Sequence, residues 1–130
     1  MALVVQKYGG TSVADTERIR NVARRVVERT RSGDQVVVVL SARAGDTDRL
    51  LKLANEMSPD PDPRETDVLL STGEQLTIAL FSMAVKDMAA EAVSMTGYQA
   101  GIITDGRYGQ ARINWIETLP IMENLHEGKI

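Results

Sequence analysis

An apolar run, Ala2-Leu-Val-Val5, gives out into Lys7-Tyr-Gly-Gly-Thr-Ser12: a cation, two glycines and two hydroxyls in immediate succession. This combination suits a transferring phosphate. Glycines let backbone N–H groups approach an anion, the lysine neutralises charge, and a helix beginning just after the turn favours negative charge at its N-terminus. The order differs from a Walker A loop, where the Lys-Ser/Thr pair follows the glycines. A lysine leaving a strand is more often a rim residue with a snorkelling stem. The glycine pair and hydroxyls at Gly9, Gly10, Thr11 and Ser12 tip the reading toward phosphate.

Three further polar stretches follow apolar runs. Ser41-Ala-Arg-Ala-Gly-Asp-Thr-Asp48 has small residues that admit a ligand close to the backbone, with neutral hydroxyls at Ser41 and Thr47. Arg43 could clamp a carboxylate or phosphate, although Asp46 or Thr47 could equally serve to cap a helix. Ser71-Thr-Gly-Glu74 interrupts an apolar helical pattern. A glycine there costs about 1 kcal/mol relative to alanine, and Glu74 among apolar neighbours calls for a partner. That partner is a structural cation or the cationic group of a ligand. The last stretch, Thr96-Gly-Tyr-Gln-Ala-Gly-Ile-Ile-Thr-Asp105, continues to Gly109 and Arg112. Its glycines mark turns, and Asp105 either lines a site or orders a turn. His126, near a helix end, reads as a dipole-favoured cap residue.

The elements that must position these residues follow from hydrophobic periodicity. Leu3 to Gln6 and Val36-Val-Val-Val-Leu40 are short apolar runs typical of strands covered on both faces. Between them, about Val13 to Arg31 is helical, with Ser12 or Asp15 as cap and Gly33 as stop. Asp48 to Met57 is helical with Leu50, Leu51, Leu53 and Ala54 turned inward. Ser58-Pro-Asp-Pro-Asp-Pro63 is a stiff loop within one domain. About Thr66 to Met88 is a helix apolar nearly all round, which predicts packing on more than one side or a subunit interface. Ala92 to Met95 and Gly101 to Thr104 read as short strands. The segment Ala111-Arg-Ile113 reads as half of an edge hairpin, and about Glu117 to His126 as a helix. Lys129-Ile130 has the look of a strand's first step. Ligands of open α/β sheets bind beyond the carboxyl ends of strands, where these polar loops fall.

Composition sets bounds. The chain has 130 residues, 43% apolar and 25% charged, with net charge −3, the length and balance of one soluble domain. That charge gives no argument for nucleic acid, and no run of ~20 apolar residues argues for a membrane span. The N-terminus lacks the basic start of a signal peptide. With no cysteine and one histidine, thiolate catalysis, disulfides and metal sites of Cys or paired His are excluded, and no metal ligand is assigned. A cytoplasmic α/β domain is the expectation.

Taken together, the polar stretches resemble the aspartokinases of the amino-acid kinase superfamily, in order and along essentially the whole chain. Lys7-Tyr-Gly-Gly-Thr-Ser-Val13 resembles the family's opening Lys-Phe-Gly-Gly-Thr-Ser-Val signature. Val39-Leu-Ser-Ala42 with Gly45 and Thr47 resembles its second-strand loop, and Leu70-Ser-Thr-Gly-Glu-Gln75 its substrate-glutamate motif. Departures are Tyr8 for Phe, Arg43 at a position usually small or apolar, and Tyr98 where tryptophan is frequent.

The resemblance implies a three-layer αβα sandwich with a mainly parallel sheet, of the amino-acid kinase or carbamate kinase-like fold. Residues 1–130 would be its N-terminal, amino-acid-binding half. It implies ATP-dependent phosphorylation of the L-aspartate β-carboxylate, with Mg²⁺ bridging phosphates, as the first step of lysine, threonine and methionine biosynthesis. Lys7 would be catalytic, with Gly9, Gly10, Thr11 and Ser12 on the phosphate side, and Ser41, Thr47 and Glu74 on the amino acid. The family's Arg-Gly-Gly-Ser-Asp-type motif, nucleotide half and ACT domains are expected beyond these residues. The chain alone is therefore expected to be inactive, and to work as a homo-oligomer or with a complementing C-terminal half. The alternatives are a non-catalytic binding or assembly fragment, or another superfamily kinase.

Overall fold

β1 (Leu3–Tyr8) and β2 (Gln35–Leu40) are the β-branched runs of the sequence, and they pair in parallel from Leu3 opposite Gln35 to Tyr8 opposite Leu40. The computed structural model describes residues 1–130. Parallel neighbours need a crossover, here α1 (Thr16–Arg31). Of the two predicted caps, Asp15 serves: its carboxylate accepts the Arg18 N–H at 2.8 Å. Ser12 instead lies in a separate 3₁₀ turn, Gly10–Val13. Gly33, at φ +102°, ends the helix in the left-handed region that glycine tolerates. Ile19, Val22, Ala23, Val26 and Val27 form the buried stripe of α1, each large side chain contributing about 1.5–3 kcal/mol by leaving water.

α2 (Asp46–Met57) leads through the proline loop to α3 (Pro63–Asp87), capped by Asp62 through the Glu65 N–H and carrying Pro63 in its first turn. Gly73, Thr77, Phe81 and Val85 recur every fourth residue as the buried spine of α3. The buried Thr77 hydroxyl donates to Gly73 O at 3.2 Å. α3 packs on both α1 and α2, as its nearly all-round apolar pattern predicts. By length and composition it could also cross a membrane, with 22% of its apolar window buried in this chain.

α2 buries Asp46, Leu50 and Ala54, while Leu51 and Leu53 remain exposed. The prediction of four inward residues is corrected, because α2 meets one neighbour, α3, and a single contact line buries one residue per turn.

Phe81, Val85 and the stripe of α1 close over Val36, Leu40, Val38 and Tyr8 as one core. One face of the parallel pair is thus covered by helices. Leu3, Val5 and Val39 on the opposite face stay 54%, 65% and 45% exposed, so that side of the sheet is open.

The predicted strand at Ala92 to Met95 does not form as one. Its backbone pairing is confined to one bond, from the Val93 N–H to Ile130 O, beside the bond from the Ile130 N–H to Glu91 O just before it. The following hairpin does form: β3 (Ile102–Thr104) runs antiparallel to β4 (Ile113–Ile116), with an irregularity after Ile103. β4 lies two residues later than the sequence suggested, because the Asp105 N–H donates to Arg112 O and draws residues 105–112 into the turn. α4 (Leu119–His126) completes the fold, with His126 exposed in its last turn.

Candidate active site

The turns after β1 and β2 emerge side by side, because the two strands are parallel and in register to their last residues. They are then joined backbone to backbone: the Ser41 N–H donates to Tyr8 O at 3.2 Å and the Ala44 N–H to Gly10 O at 3.1 Å. A Cβ on Gly10 would lie 2.9 Å from Ala42 O and 3.2 Å from Ala44 N. Only glycine lets these loops meet. Gly73 of α3 comes up against the same loop, the position of its missing Cβ 3.0 Å from Ala42 Cβ and 3.4 Å from Leu50 Cδ1. That close approach explains a glycine inside an apolar helix, despite its propensity cost.

Around this junction stand the residues singled out from sequence. Lys7 is exposed on β1, opposite Val39, and makes no ion pair or hydrogen bond with its side chain. Gly9 precedes the 3₁₀ turn in extended conformation, and no side chain caps that turn. Thr11 and Ser12 are exposed, Ser41 is half-buried, and Thr47 is exposed in the first turn of α2. Glu74 follows Gly73 and is exposed, without an ionic partner in the protein. No cation within these residues pairs with Glu74.

Glu74 stands apart from the two loops in one respect. With Ser71, Thr96 and Gly97 it lines one end of a groove of about 480 Å³ beside β2, which Lys7 and the glycines do not line. The loop beginning at Thr96 thus reaches the candidate site through this groove. Asp105 and Arg112 belong to the hairpin tip instead. The Asp105 carboxylate accepts the N–H groups of Arg107 and Arg112 at 3.2 and 3.3 Å, which is turn-ordering work.

Arg43 is not free to clamp a ligand. Its guanidinium donates to Asp46 at 2.8 Å, and Arg49 approaches the same carboxylate at 3.7 Å. Arg43's hydrogen bond holds the Asp46 carboxyl below the ordinary carboxylate range, and Asp46 in turn raises the Arg43 guanidinium. Neither Asp46 nor Thr47 caps α2, contrary to the capping alternative. The N-cap is Gly45, at φ +84°, and Asp46 is buried in the first turn. An anion there is favoured by the helix dipole.

Two contacts near the site carry no clear sequence signal. Arg18 donates to Thr11 O at 2.6 Å, bringing a second cation to the first loop. The Gly109 N–H donates to the Asp67 carboxylate of α3 at 2.8 Å, tying down the hairpin tip. Nothing in the local pattern could announce a bond spanning 42 residues. No group of three or more His, Cys, Asp or Glu side chains is placed to hold a metal ion.

The sequence profile of the amino acid kinase family matches residues 2–130. The chain belongs to the amino acid kinase family. Among curated relatives in that family, the aspartokinase of Bacillus sp. (strain MGA3) is 54% identical over 130 residues, all of this chain and 32% of that protein. The aspartokinase of Mycolicibacterium smegmatis is 53% identical over the same span, 31% of its length. The crystal structure of aspartate kinase from Synechocystis superposes with a TM-score of 0.81 at 43% identity, covering 98% of this chain and 21% of that one. Escherichia coli aspartokinase III, solved with aspartate and ADP, shares the fold at a TM-score of 0.78 and 23% identity, over 98% of this chain and 39% of that one. The chain spans about a third of the length of the curated relatives it matches. The aspartokinase resemblance read from the motifs is borne out along the whole chain.

Proposed function

We propose that this chain is the amino-acid-binding portion of an aspartate kinase, which transfers the γ-phosphoryl group of ATP to the β-carboxylate of L-aspartate. What carries the reading is the end-to-end match to proteins named aspartokinase, on a chain whose Lys7 and Glu74 are both exposed and unpaired. The product, 4-phospho-L-aspartate, places the reaction at the start of lysine, threonine and methionine synthesis, in the cytoplasm.

The chemistry asks little covalent work of the protein. An aspartate β-carboxylate has a pKa of about 3.9 and is already ionised at pH 7, so no general base is needed. Catalysis is positioning and charge stabilisation. Lys7 offsets the charge spread over the phosphoryl oxygens, and the glycine turn at Gly9 and Gly10 brings backbone N–H groups to them. Thr11 and Ser12 add hydroxyl donors on the phosphate side. Glu74 holds the substrate ammonium, with Ser41 and Thr47 on its other polar groups. ATP fits the uncapped glycine turn and free lysine through its phosphates, and its adenine and ribose are held by chain outside these residues. Mg²⁺ bound with the nucleotide would supply positive charge against the phosphates. This chain offers it no ligand cluster of its own, consistent with a cation that keeps most of its water and phosphate ligands.

The test uses a longer protein of which this chain makes up about a third, the share its match covers in the relatives, with acyl phosphate trapped as the hydroxamate. Aspartate is expected to turn over in preference to glutamate. Lys7→Ala is expected to lower kcat by roughly 10²–10³-fold with little change in stability, because the lysine is exposed. Glu74→Gln is expected to raise KM for aspartate with a smaller effect on kcat. Full activity of the Lys7→Ala enzyme would sink the reading.

A further inference from the structure

One buried carboxylate takes no part in the transfer chemistry. Asp46 is 7% exposed, and phosphorylation of an ionised acceptor needs neither its charge nor a base. A carboxylate is rarely buried without partners that hold it there. Asp46 has two. Arg43 Nε donates to its Oδ2 at 2.8 Å and Arg43 Nη2 to its Oδ1 at 3.4 Å, the two-pronged fit of a guanidinium on a carboxylate. Arg49 Nε stands 3.7 Å from Oδ1.

The two arginines act differently. Arg49 belongs to α2, as Asp46 does, so its approach fixes nothing beyond that helix. Arg43 lies on the other side of Gly45, which turns the chain into α2 at φ +84° and has the conformational freedom of its type. Its side chain reaches across that turn. The backbone closes the same turn, the Asp46 N–H donating to Arg43 O at 3.0 Å. Asp46 also sits among the residues assigned to the amino acid. Thr47 is next along the chain, and Ser41 lies just before the turn. Asp46 Cβ is 3.9 Å from where a Cβ on Gly73 would be, beside Glu74 on α3. On its other side the loop is held by the Ala44 N–H on Gly10 O. Gly45 is the point of freedom that remains, and the Arg43–Asp46 pair spans it.

We propose that Arg43 and Asp46 are positioning residues of the amino-acid site: their two-pronged pair locks the turn at Gly45 and so holds Thr47 at a fixed spacing from Ser41 and Glu74. The proposal rests on the kinase reading and deepens it. A displacement of ~1 Å at such a site costs on the order of a hundredfold, so one freely turning glycine is enough to matter. The bond from Ala44 to Gly10 is made by backbone alone and does not depend on the Arg43 side chain. Loss of the pair therefore falls on aspartate and leaves the phosphate side in place.

The test is steady-state kinetics on the longer protein of the hydroxamate assay, under conditions where urea titration shows each variant folded. Arg43→Ala is expected to raise KM for aspartate about tenfold, with kcat and KM for ATP within about twofold of wild type. Arg43→Lys keeps the charge but not the fork and is expected to recover part of the loss. Arg49→Ala is expected to change KM for aspartate by less than about twofold. Thr47→Ala is expected to raise the same KM. Combined with Arg43→Ala it is expected to add much less than the product of the two single effects, because both act through one group. Should Arg43→Ala not fold, the same cycle is run with Arg43→Lys. An unchanged KM for aspartate, an equal rise in KM for ATP, an equal effect of Arg49→Ala or fully multiplicative effects in the cycle each overturn the proposal, while wild-type turnover of aspartate leaves the kinase reading standing. A wild-type protein that phosphorylates no aspartate overturns both.

Discussion

At the scale of single residues, the Arg43–Asp46 pair governs how the second loop responds to acid. Hydrogen bonding from Arg43 favours the Asp46 carboxylate, so its pKa in the folded chain lies below the unfolded value of about 3.9. Folding is therefore stabilised by this group above pH ~4, and the contribution is lost as pH falls through the lower folded value. Asp34 works in the same direction, through the Ala2 N–H and then Arg29. Urea midpoints are expected to hold between pH 7 and pH 5 as far as these two groups are concerned, then drop below pH ~4. Asp46→Asn is expected to lower stability at pH 7 by about 1–2 kcal/mol, the scale of a lost hydrogen bond to a charged group, and to flatten the acid slope. An unchanged slope in that variant would assign the acid response to other carboxylates. Lys7 and Glu74 differ from this pair in having no ionic partner within the chain.

At the scale of elements, glycines decide how closely loops approach. Gly10→Ala forces a Cβ against the backbone of Ala42 and Ala44 and is expected to cost about 1–3 kcal/mol by overpacking. Gly101→Ala is expected to be worse, since its Cβ would lie 2.0 Å from Glu117 O at a φ of +84°. Gly33→Ala meets open space at φ +102°, so only the left-handed backbone cost of about 1–2 kcal/mol applies. Denaturant midpoints of the three variants check this ranking. β1, α1 and β2 were legible because their periodicity and caps are local. The apolar character of α3 was legible, and Gly73 as an anomaly within it, but which residues form its buried spine was not: Gly73, Thr77, Phe81 and Val85 are buried, while Leu76 and Met83 are exposed. Residues 92–95 were read as a short strand, but strand pairing depends on a neighbour, and here only Ile130 supplies a rung. Leu51 and Leu53 misled for a similar reason: an apolar residue predicts burial only where something packs on it. The four loops of the candidate site were found through residue types, whereas their stitching through Ala44 and Gly10 required the fold.

At the scale of the whole molecule, the open face of the parallel pair is the largest departure from a self-sufficient domain. Leu3, Val5 and Val39 form exposed apolar surface next to an unfilled groove, and such surface favours association. The isolated chain is expected to bind an apolar-surface dye and to sediment with concentration dependence. Val5→Lys is expected to weaken both with a change in stability below about 0.5 kcal/mol. A clean monomer without dye binding would show that this face is innocuous. The hairpin poses a different exposure. Residues 106–112 are all exposed, and their tie to the body is the bond from the Gly109 N–H to Asp67, with Tyr108 beside Arg64. That one carboxylate therefore sets what a protease meets first. With Asp67 in place, the peptide bonds after Arg107 and Arg112 are held in a turn that does not fit an extended cleavage site. With Asp67→Ala the tip is released, and trypsin is expected to nick there several-fold faster than anywhere else in the chain, turning a hydrogen bond on α3 into the gatekeeper of the molecule's lifetime.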